Sequence, residues 1–213
     1  MTESATRPRQ LTPKGRAARQ KIIEAAAGLI YERGVAGTNN ELVRKAAGIS
    51  GSQLSHYFPD KESLVRAVLA WRADSMIGLH RDPPLGELDS IEALRAWAAS
   101  YTGNDDVCMG GCSFGSLAAE VMKSDLAVGD EIAAGFGRWR DLFQRGLTVM
   151  RERGELRRGA DPAQLAYVLM AAFQGGMMLA QAAQEVAPLR AALDAAIDHV
   201  ASFSARPRPG LTK

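Results

Sequence analysis

Apolar residues recur every three to four positions along most of the chain, which is the spacing of one face of an α-helix. The first such segment is Ala17–Arg33, and Gly34 after it suits a C-terminal cap. Two shorter segments follow at about 39–46 and 50–57, with Thr38 as the expected N-terminal cap of the first. No strand-like alternation, internal repeat or heptad array stands out. The pattern therefore predicts an all-α protein.

The rest of the chain keeps the same periodicity. Pro59 ends the third helix, Asp60 is the expected cap of the next, and a fourth helix should run from Lys61 to about Leu79. The clearest internal boundary is the Pro-containing stretch 81–86. Beyond it, helices are expected at about 88–102, 113–124, 127–153, 161–184 and 187–203, the last with Pro188 in its first turn.

The charge is unevenly distributed. Residues 1–72 hold 12 Lys/Arg against 6 Asp/Glu, whereas residues 73–213 hold 14 against 18. A hydrophobic fraction of 46% with only 6% aromatics fits an Ala- and Leu-rich helical protein. The basic charge therefore lies in the N-terminal third, where a polyanionic partner would bind.

The N-terminus has Arg7 and Arg9 but no apolar signal core, and no apolar run reaches the length of a membrane span. Two cysteines, Cys108 and Cys112, are too few for a disulfide scaffold and fit a reducing compartment. We therefore expect a soluble, cytoplasmic protein with no membrane partner.

The third predicted helix has an unusual density of polar side chains. Gly48 suits the sharp turn before this helix, as in a helix-turn-helix motif. Gln53 can bond bidentately to adenine, and Ser52 can reach a base or a phosphate. Leu54 and Phe58 should anchor the helix in a core. These features predict that the third helix enters the major groove of DNA.

Three further side chains extend this candidate DNA-binding surface. Tyr57 and His56 can donate to phosphates, and Lys61 adds a positive charge at the start of the fourth helix. For His56 a gap-filling position in the core is the alternative.

These residues resemble the N-terminal domain of the TetR family of bacterial transcriptional regulators. The matching features are a first helix ending in Gly34, then Thr38, and the runs 47–50, 53–58 and 61–64, within about residues 17–66. The resemblance implies a three-helix DNA-binding head followed by a larger helical body. It also implies a homodimer on an inverted-repeat operator, with repression relieved by a small ligand.

By that resemblance the DNA contacts would come from Thr38, Ser50, Ser52, Gln53, Tyr57 and Lys61. Ser55 stands where the family commonly has a phosphate-contacting Tyr. Arg44 stands where Ala is usual, and either is a solvated charge or reaches the DNA backbone. Asn39 and Asn40 would cap the second helix or contact phosphate.

The expected organisation is a flexible basic arm (1–14), a helix-turn-helix domain (15–60), an effector-binding and dimerisation body (61–205) and a flexible tail (206–213). The last two predicted helices are rich in small residues that allow close packing. With the resemblance, this favours a homodimer through these helices, although packing within one chain would also explain the pattern.

The segment from Cys108 to Glu120 is similar to the Gly-Cys-x-x-Gly-x-Leu-Ala segment of regulators of the LmrA/YxaF type. Cys112 would then lie at a helix N-terminus, where a thiol becomes more acidic and more reactive. A repressor that senses oxidants or electrophiles through Cys112 is one interpretation. The other is a small apolar side chain that packs a tight corner.

An effector pocket should lie between the helices of the body and be lined by apolar and aromatic groups. The same spacing is typical of core helices, so each candidate has a core position as its alternative. We expect a hydrophobic effector, aromatic ones included. The candidates are Trp97, Tyr101, Phe114, Phe136, Trp139, Phe143, Tyr167, Phe173, Gln174 and Met177.

Other functions have less support. The chain has no Gly-rich phosphate loop, no metal-ligand spacing and no Ser/His/Asp signature, so we expect no catalytic residues, metal or cofactor. An enzyme with an incidental helical head is the less favoured alternative. A DNA-binding protein without an effector remains open.

Overall fold

The computed structural model describes residues 11–81, 86–103 and 110–205. Within these ranges the chain forms helices and one isolated β-bridge, between Leu156 and Ser204, which confirms the predicted all-α class. The helices are α1 (Pro13–Arg33), α2 (Asn40–Ala47), α3 (Gly51–Tyr57), α4 (Lys61–Arg81), α5 (Ile91–Thr102), α6 (Ser113–Val121), α7 (Gly129–Glu152), α8 (Pro162–Ala183) and α9 (Ala187–Ala201).

The chain divides into two compact units, residues 1–68 and 69–213, with the division inside α4. The first unit contains α1 to α3 around a small apolar core. Its most deeply buried side chains include Ile22, Ile23, Ala26, Val43, Ala47, Leu54 and Phe58. Leu54 and Phe58 thus anchor α3 in the core, as predicted.

Helix α1 begins at Pro13, four residues before the predicted start. The hydroxyl of Thr12 accepts a hydrogen bond from the N–H of Gly15 at 3.1 Å, and proline at the first helical position loses no hydrogen bond. The last two residues of the predicted flexible arm, 13 and 14, are therefore helical. Residues 1–10 of that arm and the predicted tail, 206–213, lie outside the described residues.

The cap of α2 differs from the prediction. Asn39 Oδ1 accepts from the N–H of Leu42 at 3.0 Å, whereas Thr38 is buried and its hydroxyl donates to the carbonyl oxygen of Gly34 at 2.8 Å. The prediction of Thr38 as the cap was wrong, because Asn39 has the extended backbone that a cap requires. Gly48 ends α2 in the left-handed conformation, with φ of 63°.

The second unit is built on α7, α8 and α9, with α5 against α9. Helices α8 and α9 approach closely at Gly176, where an added β-carbon would lie 3.0 Å from the Cα of Leu189. The core of this unit is rich in large side chains. It includes Trp97, Trp139, Phe143, Leu147, Leu169, Phe173, Leu189, Leu193 and Ile197.

Helix α8 corrects the expectation that no segment is apolar enough to span a membrane. Among the described helices it has the required length and composition, with a mean hydropathy of 1.3 over its most apolar window. Because 44% of that window is buried inside the protein, this is weak evidence for a membrane span. Core helices of soluble proteins have the same character.

Candidate DNA-binding helix and cavities of the helical body

The N-terminus of α3 is fixed by a reciprocal pair of hydrogen bonds. Ser50 Oγ accepts from the N–H of Gln53 at 3.2 Å, and Gln53 Oε1 accepts from the N–H of Ser50 at 3.0 Å. This is a capping box, which satisfies two donors that the first turn of a helix leaves unpaired. The hydroxyl groups of Ser50 and Ser52 lie 2.9 Å apart. The first turn of α3 is therefore well defined before any ligand binds.

Gln53 is exposed, although its carbonyl oxygen is engaged by the cap. No other described residue makes a hydrogen bond to its Nε2 amino group. Ser52 is also exposed on the same turn. The predicted pair Ser52 and Gln53 is thus accessible, with the Gln53 amino group available as a donor.

His56 and Tyr57 lie at the other end of α3. His56 is exposed, so the alternative that it fills a gap in the core is wrong. Its ring contacts the ring of Tyr57 edge-on, with the centroids 5.0 Å apart. Tyr57 is half-buried beside the first turn of α1, where an added β-carbon at Gly15 would lie 3.5 Å from its hydroxyl.

Lys61 is exposed in the first turn of α4. That turn is capped by Asp60, whose Oδ1 accepts from the N–H of Ser63 at 2.7 Å. The same N–H group and the Ser63 hydroxyl lower the pKa of the Asp60 carboxyl group. The predicted cap at Asp60 is confirmed, and Lys61 extends from a fixed backbone.

Arg44 forms an ion pair on the surface of α2. Its Nη2 lies 2.6 Å from Glu41 Oε1 and its Nε 3.0 Å from Glu41 Oε2. The hydrogen bond and charge of Arg44 lower the pKa of Glu41. An exposed pair of this kind contributes little to stability. Arg44 can therefore exchange Glu41 for a phosphate at small cost.

The helical body contains a buried group of aromatic rings from several helices. The ring centroid of Trp97 on α5 lies 4.8 Å from that of Phe143 on α7 and 5.5 Å from that of Phe173 on α8. Trp139 lies 5.0 Å from Phe173, and Tyr101 4.8 Å from it. The structure thus brings half of the predicted ligand-binding side chains into one contiguous group.

A cavity of about 220 Å³ lies beside these rings, and we call it the aromatic cavity. Burial raises the pKa of Tyr101 to about 12, so its hydroxyl stays protonated at neutral pH. The walls come from α4, α5, α7, α8 and the turn before α6. They are Arg72, Ser75, Met76, Leu79, Tyr101, Gly111, Cys112, Ser113, Trp139, Phe173 and Met177.

Three more predicted residues, Phe136, Tyr167 and Gln174, line a separate groove of about 320 Å³ between α7 and α8. Arg140 lies in the same groove, where its Nη1 donates to the Tyr167 hydroxyl at 2.7 Å. Because Tyr167 is 58% exposed, this groove lies at the surface.

Trp97, Phe114 and Phe143 are each no more than 1% exposed. These three side chains are not among the described residues that line the aromatic cavity or the α7–α8 groove. Phe114 packs so closely on α7 that a β-carbon at Gly135 would overlap its ring. For these three side chains the core alternative fits their surroundings, and a ligand contact stays a prediction.

Cys112 caps α6 and is half-buried. Its Sγ accepts from the N–H of Gly115 at 3.3 Å and from Gln174 Nε2 at 3.5 Å. It lines the aromatic cavity and also a neighbouring cleft toward α8. The predicted helix start at Ser113 is confirmed. Cys108 lies outside the described residues.

His80 is a notable residue that the sequence pattern did not single out. It lies near the end of α4, is 2% exposed, and neither of its ring nitrogens has a hydrogen-bond partner among the described residues. Burial lowers its pKa to about 4. The one available signal was its spacing: Ala73, Ile77 and His80 continue a core-facing stripe along α4.

An accessible helix-turn-helix head and a separate helical body with cavities define a DNA-binding protein with a regulatory domain. Residues 22–68 match the family described as bacterial regulatory proteins, tetR family. Residues 88–196 match the tetracyclin repressor-like C-terminal domain. The chain belongs to the TetR family of transcriptional regulators.

Two curated repressors are similar in sequence. The HTH-type transcriptional repressor KstR2 of Rhodococcus jostii (strain RHA1) is 36% identical over 78 residues, or 37% of this chain and 38% of that repressor. The chain thus matches well under half of the length of this relative. The HTH-type transcriptional repressor DhaR of Mycobacterium sp. (strain GP1) is 24% identical over 161 residues, or 75% of this chain and 80% of DhaR.

Among solved structures, a TetR-family transcriptional regulator from Cytophaga hutchinsonii has a similar fold. It superposes with a TM-score of 0.79 at 18% identity, over 93% of this chain and 100% of that chain. The relatives are regulators, not enzymes. The chain is therefore a DNA-binding transcriptional regulator, and the enzyme alternative is set aside.

Proposed function

We propose that this regulator is a cytoplasmic homodimeric repressor that binds an inverted-repeat operator and is released from it by a small hydrophobic effector. The exposed polar face of α3, fixed by the Ser50–Gln53 capping box, supports this proposal most directly. A helix that is ordered before binding loses less conformational entropy when it enters the groove. Its amide, hydroxyl and imidazole groups match base edges and phosphates.

Within this proposal the residues have different roles. Ser52 and Gln53 contact base edges, while the remaining exposed residues contact phosphates or position the helix. Thr38 is buried and positions the turn before α2 through its bond to Gly34. The residues that contact phosphates or position the helix are Asn39, Arg44, Ser50, His56, Tyr57 and Lys61.

Dimerisation through α8 and α9 is the second part of the proposal. Exposed apolar side chains on α8, among them Met178 and Leu179 at 65% and 59%, would be covered by the partner protomer. A two-fold interface of this kind would present two copies of α3 to successive major grooves.

Effector binding in the aromatic cavity is the third part. Tyr101, Trp139, Phe173 and Met177 would contact an apolar ligand there. The cavity wall includes α4, the helix within which the chain is divided into its two units. A ligand that binds one conformation of α4 more tightly would shift the population away from the operator-binding form.

Selection of random duplex DNA on the purified protein tests the proposal. Wild type should enrich an inverted repeat. Gln53→Ala should relax the sequence at one symmetric position, while Gln164→Ala, an exposed glutamine of the body, should leave the selected sequence unchanged. No enrichment by folded protein, or the same relaxation in both variants, would contradict the proposed role of α3.

A thiol-sensing repressor is the second candidate. Cys112 borders the aromatic cavity, and its Sγ accepts hydrogen bonds from Gly115 and Gln174. The similarity of residues 108–120 to LmrA/YxaF-type regulators belongs to this candidate. N-ethylmaleimide should then release the operator from wild type and from Cys108→Ser but not from Cys112→Ser. Equal release from Cys112→Ser would exclude it.

A further inference from the structure

Three nitrogen-bearing side chains from three helices meet in the core of the body. His80 of α4 has its ring centroid 6.5 Å from that of Trp97 of α5 and 6.3 Å from that of Trp139 of α7. All three are at most 2% exposed. We call them the His80 cluster.

Four nitrogens of the His80 cluster are unpaired. Both ring nitrogens of His80 and the Nε1 atoms of Trp97 and Trp139 have no hydrogen-bond partner within the described part of the chain. Burying an unpaired polar group is unfavourable, and folded proteins keep few of them. Four in one cluster indicate that the cluster is built for a partner that the described residues do not supply.

The cluster borders two cavities. Trp139 lines the aromatic cavity of about 220 Å³. His80 lines a second cavity of about 250 Å³, together with Leu88, Leu142 and Arg145. Each of the two cavities therefore has one residue of the cluster in its wall. The aromatic cavity is smaller than the ~300–1,000 Å³ of common ligand pockets, so its ligand is small.

The available atoms define the chemistry of that ligand. Each indole nitrogen is a donor only, and a neutral imidazole supplies one donor and one acceptor. Since burial keeps the pKa of His80 at about 4, the cluster is uncharged at neutral pH. It therefore offers three donors and one acceptor without a formal charge, which favours a ligand oxygen that accepts hydrogen bonds.

A carboxylate fits this environment poorly, because it would lose its hydration without a counter-ion inside the cluster. The cations that border the two cavities are Arg72, which is half-buried, and Arg145, which is exposed. A carboxylate held by either arginine would stay in contact with water. An uncharged oxygen acceptor can enter the cluster at much lower cost.

We propose that the effector is a small, uncharged and largely apolar molecule with a carbonyl-type oxygen, and that the His80 cluster donates hydrogen bonds to that oxygen. This inference rests on the proposed effector-responsive function, whose cavity it specifies. His80 is the specificity-determining residue, because it lines the second cavity, lies beside both tryptophan rings of the cluster and can present a donor or an acceptor to the ligand.

Binding of 1-indanone, indane and benzoate tests this assignment, with the fluorescence of Trp97 and Trp139 as the readout. Wild type should bind 1-indanone at least ~10-fold more tightly than indane, since the hydrocarbon leaves the donors unpaired. His80→Leu should reduce this preference, since only the two indole donors remain. Gln164→Ala, the exposed glutamine of the body used as the control above, should keep the wild-type preference. His80→Phe provides a second variant if the leucine variant does not fold.

Four results would each overturn the proposal. In wild type they are equal binding of 1-indanone and indane, tighter binding of benzoate than of 1-indanone, and no binding of 1-indanone. In the folded His80 variants it is an unchanged preference for 1-indanone. Operator binding by the same proteins distinguishes a wrong ligand class from a wrong proposed function. A wild-type protein that shows no preference but binds the operator refutes only the ligand class, whereas a wild-type protein that binds no operator refutes the proposed function.

Discussion

Replacement of Gln53 by glutamate or by alanine separates the two roles of this side chain. Its Oε1 accepts from the N–H of Ser50 at 3.0 Å, while Nε2 is available to DNA. Glutamate retains the acceptor, since capping boxes use Glu and Gln alike, but it lacks the amino group. Alanine lacks both groups. The two variants should therefore differ in stability, while both lack the amino donor that is available to DNA.

The structure sets the magnitudes. Gln53→Ala loses one of the two capping hydrogen bonds, so its free energy of unfolding should fall by ~0.5–1.5 kcal/mol. Gln53→Glu should stay within ~0.5 kcal/mol of wild type, because both capping bonds can form. In DNA binding, loss of one specific base contact costs ~1–3 kcal/mol per half-site.

The capping bond also bears on which base is selected. Because Oε1 accepts from the N–H of Ser50, Nε2 is the atom of the side-chain amide that remains available to the groove. This donor favours an acceptor such as guanine O6 or N7 or thymine O4. The bidentate contact to adenine expected from sequence would need Oε1 as well. Gln53→Glu should instead prefer cytosine, whose N4 donates to a carboxylate.

Urea denaturation and duplex selection on the same three proteins provide the measurements. The reasoning about the cap is refuted if Gln53→Glu is destabilised as much as Gln53→Ala. The reasoning about the base is refuted if Gln53→Glu retains the wild-type preference.

Three further predictions concern packing, pH and salt. Gly146→Ala should lower the free energy of unfolding by ~1–3 kcal/mol, because the new methyl would overlap the backbone oxygen of Leu88. The methyl added by Gly137→Ala on the same helix meets open space, so this variant should raise the free energy of unfolding by up to ~1 kcal/mol. Equal urea midpoints for the two variants would contradict the close packing at Gly146. Burial lowers the pKa of His80 from 6.5 to about 4, so the unfolded chain takes up the proton at a higher pH than the folded chain. The free energy of unfolding should therefore fall as the pH drops from 6.5 to about 4. The loss should reach about 3 kcal/mol and be absent in His80→Leu, and the same pH dependence in that variant would refute the assignment. Arg44→Ala should leave the urea midpoint nearly unchanged but reduce the slope of log operator affinity against log salt by ~1, whereas an unchanged slope would leave Arg44 without a phosphate contact.

Much of the fold could be predicted because glycine and proline interrupt a regular helical pattern. The predicted ends of α2 and α3 are close to the observed ones, and Leu54 and Phe58 were assigned correctly to the core. The start of α1 was missed although its signal, Thr12 before Pro13, is present in the sequence. The basic, Pro-containing composition of the preceding residues is typical of a flexible arm and masks this local cap.

The cap of α2 shows a limit of local patterns. Thr38 and Asn39 are both good capping residues, and sequence does not decide between neighbours. The choice depends on backbone direction, which is set by the packing of α2 on α1. Thr38 then faces inward and bonds to Gly34, and Asn39 takes the cap.

The ligand-binding candidates show a deeper limit. Trp97 and Trp139 have equivalent places in the hydrophobic pattern, and both are fully buried, yet only Trp139 is among the residues that line the aromatic cavity. Periodicity identifies which side of a helix is apolar, but a cavity is a property of several helices that fail to fill the space between them. His80 has the spacing of an ordinary core residue, and what distinguishes it is the absence of any partner for its nitrogens among the described residues. Because an unpaired buried polar group is costly, such an absence carries more information about ligand chemistry than the apolar residues around it.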